Sequence, residues 1–395
     1  MNTDPQSQPS SIPPQRHSRF RRLIFRCLAL AGAVTIPILL GEALLWFVAP
    51  IPYHEWMIWE SEGHIRARPM PNQSLHNASG HLLHINKYGF RGPDYSYRKP
   101  PGTLRIEVFG GSAGFCFEAS GRAASWPGAL EQKLAKRLEM PVEVINLSLP
   151  GFDSFNSKFN YLCFGRAFQP DAVIVYHTWN DMKQFRDLAN RPYAPAASVT
   201  NKPLWQRVAR ETQLGRRARN FLWARTMRQM ENTFRVSEGT EVGIDAPVDE
   251  KAFAWERQNF LDLANLVQSD NRLAILVSQP GLIRRSNLTD PDIRFTTGNV
   301  PVMVGMTIPL AVDSWKKVTT MIEDVASETG AIFVDGYGAV PSDLEHFHDV
   351  VHLRDAGSEV LAEKIATTLL ADERFEAAVQ RVRAERNDVG ESGGP

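Results

Sequence analysis

The sequence predicts an α/β domain, a parallel sheet with helices on both faces, behind one N-terminal transmembrane helix. Three observations carry this. From Leu104 onward, short apolar runs alternate with segments of helical length and period. The runs are apolar without interruption, as in strands buried on both faces of a parallel sheet. And the stretch from Cys27 to Val48 is almost wholly apolar, long enough to cross a bilayer.

Taken in order, residues 1–22 read as a disordered, basic cytoplasmic tail, rich in Pro, Ser and Gln before the arginines begin. Residues 23–49 read as the anchor. Arg16, Arg19, Arg21, Arg22 and Arg26 lie on its N-terminal side, where Asp4 is the one acidic residue. The positive-inside rule then puts the N-terminus in the cytoplasm and the rest in the periplasm or outside the cell. A signal peptide is the alternative, but its apolar region is usually shorter. Trp46, Tyr53, Trp56 and Trp59 suit an interfacial belt, and Glu42 is a carboxyl within the span for which the sequence offers no role.

Residues 50–103 carry many turn formers and read as a tether and lead-in. The domain proper spans 104–372. Its strands are expected at 104–109, 142–146, 171–176, 272–278 and 331–335. Helices are expected at about 126–138, 154–167, 252–268, 311–328 and 355–371. The alternation breaks at 182–250, an expected helical insertion rich in arginine (Arg216, Arg217 and Arg219 among them). There Leu204, Val208, Phe221, Leu222, Met227, Met230 and Phe234 recur at helical spacing. It could be a lid, a membrane-surface helix or a cradle for an anion, or simply a solvated face. Residues 373–395 read as a charged, partly disordered tail.

Composition excludes some functions. Lys plus Arg equal Asp plus Glu at 44 each, so the basic surplus of a nucleic-acid binder is missing. Cys27, Cys116 and Cys163 form no C-x-x-C pair. Cys116 and Cys163 could pair in an oxidising compartment or stay as buried thiols.

The chemistry gathers where strands end, because ligands of open parallel sheets sit outside the carboxyl ends of the strands. Gly111-Ser112 follows the first strand, Pro150-Gly151 the second, and Asn180-Asp181 the third. Asp349 and His352 come after the fifth. A serine needs a base to take its proton, and the base needs an orienting carboxylate. Backbone N–H groups and an Asn amide suit an oxyanion. His346, His348, Asp349 and His352 could alternatively ligate a metal. His177 reads as a neighbour of the site, and Asp181 as a residue that stabilises its own turn.

Gly110-Gly111-Ser112-Ala113-Gly114 also fits the G-x-S-x-G elbow of α/β-hydrolases. Yet Ser112 follows the first strand of the domain, and Asp349 and His352 stand three apart on one loop, which that fold does not use. The blocks "VFGGSAGF", "NLSLPG", "TWND" and "DVVH" instead resemble the SGNH (GDSL-type) hydrolases, including bacterial membrane-anchored members through "INKYGFRG" and "SWPGALEQKL". Two positions depart from the pattern: Gly111 stands where many members have Asp, and Thr178 stands where the third block usually has Gly. The resemblance implies a three-layer, flavodoxin-like sheet and an esterase or deacylase of ester substrates. It implies Ser112, Asp349 and His352 as catalytic residues, and Ser112, Gly151 and Asn180 as the oxyanion hole. No metal or cofactor is implied; the partners would be an acylated small molecule or glycan and the membrane, not nucleic acid. An O-acyltransferase of an envelope polysaccharide would share the acyl-enzyme, and a non-catalytic glycan-binding protein could share the fold.

Overall fold

A computed structural model describes residues 16–48, 57–58, 68–69, 71–77, 80–183, 212–215, 217–218, 249–298, 300 and 304–391. The aromatic residues expected at the membrane interface beyond Trp46, and most of the 182–250 insertion, lie outside these residues.

The chain forms two units. The smaller holds helix α1, Arg16–Val48. Its Phe20–Val48 portion, of mean hydropathy 2.2, is long and apolar enough to cross a membrane. Glu42 on this helix is satisfied by protein donors. It accepts the Trp46 indole N–H one turn along at 3.0 Å. It also accepts the main-chain N–H groups of Gln213 at 2.5 Å and Leu214 at 2.9 Å, from the short helical turn that begins at Gln213. A carboxyl that looks costly within an apolar run thus holds a piece of the insertion.

The larger unit is built on a five-stranded parallel sheet: β1 Leu104–Gly110, β2 Val142–Asn146, β3 Ala172–His177, β4 Leu273–Ser278 and β5 Ile332–Val334. The strand order is β2-β1-β3-β4-β5. The helices are α2 Ser112–Phe115, α3 Trp126–Leu138, α4 Ser154–Cys163, α5 Trp179–Met182, α6 Glu250–Ser269, α7 Pro291–Thr297, α8 Ile308–Thr329, α9 Asp355–Leu370 and α10 Glu373–Glu391. Side chains alternate across each strand, so one sheet feeds two cores. Phe109, Val173, Val175 and Leu276 pack with Tyr161 of α4, Phe260 of α6 and Trp315 of α8. Ile106, Val108, Ile174 and Val277 pack with Trp126 of α3, Ile365 of α9 and Val379 of α10. This is the three-layer α/β fold, with parallel strands that are apolar throughout because both faces are covered.

Residues 373–391 differ from the charged, partly disordered tail that the sequence suggests. They are helical, and Phe375, Ala378, Val379 and Val382 are buried. These apolar residues recur at helical spacing, a signal hidden by the charges around them. The lead-in differs too: Leu83, Ile85, Phe90 and Tyr95 are buried. Buried Arg91 donates to the carbonyls of Phe115, Cys116 and Gly121. The lead-in therefore clamps the loop that follows α2.

Candidate active site

The strand order reverses direction between β1 and β3, the switch point where open α/β sheets bind ligands. Ser112 opens α2 directly beyond β1, and Asn180 sits in α5 just beyond β3. As the first residue of a helical turn, Ser112 has a main-chain N–H with no acceptor inside that turn. The loop beyond β5 brings in Asp349 and His352.

The structure brings Ser112, His352 and Asp349 into one line. Ser112 Oγ lies 2.8 Å from His352 Nε2, and His352 Nδ1 lies 2.6 Å from Asp349 Oδ2. A carboxylate only accepts, so Nδ1 carries the proton and Nε2 is left to accept from the Ser112 hydroxyl. Asp349 Oδ1 accepts the main-chain N–H groups of Val351 and His352, both at 2.9 Å. The three-residue spacing between Asp349 and His352 makes this possible: the carboxylate caps the turn that carries its own histidine. Desolvation pushes the Asp349 carboxyl up, but the His352 hydrogen bond and charge and the two N–H groups outweigh it, holding the group down at about 2.

Beside Ser112 lies a small pocket, partly open to solvent, whose walls include His177, Trp179, Asn180, Gln279 and Val351. Asn180 is fixed at both ends of its amide. Nδ2 donates to the Phe152 carbonyl at 2.8 Å, and Oδ1 accepts from Lys183 Nζ at 3.2 Å. The partners set the amide's orientation, since a carbonyl cannot donate and an ammonium cannot accept. One hydrogen of Nδ2 remains for a ligand. Gly151 takes a φ of +80°, which suits glycine, although a Cβ there would meet no atom within 4 Å; it does not line the pocket.

Both departures from the sequence pattern have local explanations. A Cβ on Gly111 would lie 2.3 Å from Asn180 Nδ2 and 2.9 Å from the Phe152 carbonyl oxygen. An aspartate there would displace the amide. Thr178 has φ −171°, outside the left-handed region that favours glycine, so no glycine is required.

A second serine–histidine–aspartate group lies beneath the pocket. His177 Nε2 is 2.7 Å from Ser157 Oγ, while Nδ1 is 3.7 Å from Asp181 Oδ2, beyond hydrogen-bond reach. Asp181 Oδ1 accepts the Ser154 N–H at 2.8 Å, so Asp181 does hold a turn, that of α4 rather than its own. Burial pushes the His177 imidazole down to about 3 and, with Asp153 nearby, pushes the Asp181 carboxyl up. Glu256 of α6 is also buried and raised, first by desolvation and then by Asp181 and Asp153.

Other residues go elsewhere. His346 pairs with Asp343 at 2.7 Å, and His348 lies 3.8 Å from Glu118, so neither joins Asp349. Cys27, Cys116 and Cys163 are free thiols; Cys116 is buried behind α2 and Cys163 is exposed, so the disulfide reading is not realised. Gln279 is a wall residue that sequence reasoning misses, although it stands at a strand end like the rest.

No family model matches the sequence, and no curated protein matches it. Similar solved structures include Axe2, an acetylxylan esterase from Geobacillus stearothermophilus, at 14% identity and a TM-score of 0.40, covering 67% of this chain and 93% of that one. Another is LAE5, an α/β hydrolase enzyme from the metagenome of Lake Arreo, at 14% identity and a TM-score of 0.39, covering 67% and 94%.

Proposed function

We propose that this protein is a membrane-anchored serine esterase or deacylase that works outside the cytoplasm through an acyl-enzyme. The observation that carries the reading is the continuous chain Ser112–His352–Asp349, with both links within 2.8 Å. Ser112 Oγ attacks the ester carbonyl while His352 Nε2 takes its proton. Asp349 holds the tautomer and stabilises the imidazolium that forms. Asn180 Nδ2 and the Ser112 N–H receive the negative charge on the former carbonyl oxygen, and the Gly151 N–H is assigned as a third donor from its place after β2, although Gly151 does not line the pocket. His352 returns the proton to the departing alcohol, then activates the water that frees the acid.

The pocket beside Ser112 is small and is walled by the bulky Trp179 and Val351, which supports a short acyl group such as acetyl. The arginines before α1 support an anchor with its N-terminus in the cytoplasm. The test uses the full chain in detergent with 4-nitrophenyl acetate and decanoate. Acetate should be cleaved and decanoate spared, and Ser112→Ala should be inactive. Undiminished hydrolysis by Ser112→Ala would overturn the reading.

A further inference from the structure

Gln279, the first residue beyond β4, is 3% exposed and is held from several sides. Its side-chain Oε1 accepts the Trp179 main-chain N–H at 3.1 Å, and its own carbonyl accepts the Trp315 indole N–H at 2.8 Å. Trp315 in turn packs against Trp179 with ring centroids 5.5 Å apart. A main-chain N–H can only donate, so the amide oxygen must face Trp179 and the NH₂ group must be the other end. That end has no partner among the described residues, and Gln279 lines the pocket beside Ser112.

Its lateral place indicates which part of a substrate it meets. Along the sheet edge, β2 leads to Gly151, β1 to Ser112, β3 to Asn180 and β4 to Gln279; the His352 loop follows β5. Gln279 therefore lies on the opposite side of Ser112 from Gly151, beyond Asn180 and next to the strand that leads to the base. The loop beyond it is tied to the histidine loop, since the Leu282 N–H donates to the Val350 carbonyl at 2.8 Å. The leaving oxygen must also be on that side, because His352 returns the proton to it.

We infer that Gln279 Nε2 donates a hydrogen bond to a hydroxyl oxygen next to the ester on the alcohol portion, so that the substrates are acyl esters of sugars or other polyols. This rests on the esterase reading. A plain alkyl or aryl alcohol would leave a positioned donor unpaired in the pocket, and that costs affinity. A hydroxyl neighbouring the ester oxygen satisfies it.

The test pairs two probes: a methyl glycoside monoacetate with a free hydroxyl beside the ester, and the same compound deoxygenated at that hydroxyl. Binding of each is titrated to Ser112→Ala protein by calorimetry, with Gln279 and with Gln279→Met. Turnover plays no part, so failure here is distinct from failure of the proposed chemistry, which the Ser112 activity test reads. With Gln279 intact the hydroxyl compound should bind about tenfold more tightly. Gln279→Met should bring that ratio to near one, even if the lost Trp179 contact weakens both. An unchanged ratio in Gln279→Met, no preference with Gln279 intact, or no binding of either probe would each overturn the inference. Should Gln279→Met unfold, Gln279→Leu and Gln279→Ala read the same ratio.

Discussion

Two serine–histidine–aspartate groups stand at the carboxyl edge of one sheet, and they differ in how the histidine is held. In Ser112–His352–Asp349 the histidine is bonded on both nitrogens, and its side chain is 23% exposed. In Ser157–His177–Asp181 the serine link is as short, 2.7 Å, but the aspartate stands 3.7 Å away and the histidine side chain is only 1% exposed. Protonation follows from that. Asp349 is an anion held by N–H donors. Asp181 is buried near Asp153 and Glu256, and desolvation, followed by the Asp153 charge, pushes its carboxyl up toward the neutral form. A triad is thus defined by a charged carboxylate touching the ring, not by three residue types lying close together.

Replacing each aspartate by asparagine should break the comparison most sharply. In Asp349→Asn the amide can still accept the Val351 and His352 N–H groups, but it presents a donor to Nδ1 and selects the wrong tautomer. kcat should fall by about 10⁴. Asp181→Asn replaces a neutral acid by a neutral amide and should keep kcat within roughly threefold, since it removes no charge from the reaction path. Steady-state kinetics on 4-nitrophenyl acetate checks both, and equal losses would mean that the buried group takes part.

Gly111→Ala probes the space between the two groups. Its Cβ would be 2.3 Å from Asn180 Nδ2, so the amide must move. Loss of one oxyanion donor predicts a fall in kcat of about 10²–10³ with KM nearly unchanged. An increase in KM alone would instead make Asn180 a substrate contact. Thr178→Gly should be close to neutral, because φ −171° asks nothing special of the residue.

The smallest effect is on stability. His177 titrates at about 3 in the folded protein against an ordinary 6.5, owing to burial. As pH falls through 6.5 the unfolded chain takes up this proton and the folded chain does not. Acid therefore favours unfolding down to about pH 3. Wild type should lose up to about 1.4 kcal/mol per pH unit more than His177→Gln between about pH 6 and 4, read by urea titration. Identical slopes would show that His177 is charged in the fold.

The sheet was legible because each strand is an uninterrupted apolar run between helices, and the strand-end rule then put Ser112, Asn180, Asp349 and His352 on one edge. The same rule covers Gln279, directly after Ser278, but glutamine carries no chemistry that singles it out before its oxygen is seen committed to Trp179. The second group was harder to see. Ser157 is in mid-helix on α4, and its proximity to His177 depends on how α4 packs. α10 was obscured because its four buried apolar residues are diluted by arginines and glutamates. The sequence offered Glu42 no role because two of its partners, the Gln213 and Leu214 N–H groups, are some 170 residues away and donate through the main chain.

A serine-directed fluorophosphonate decides between the two groups most directly. The full chain in detergent is labelled, digested and mapped by mass spectrometry. One adduct should form, on the peptide containing Ser112, and it should be lost in Ser112→Ala and kept in Ser157→Ala. An adduct on Ser157, or an unlabelled protein that still hydrolyses 4-nitrophenyl acetate, would contradict the assignment of Ser112 as the nucleophile.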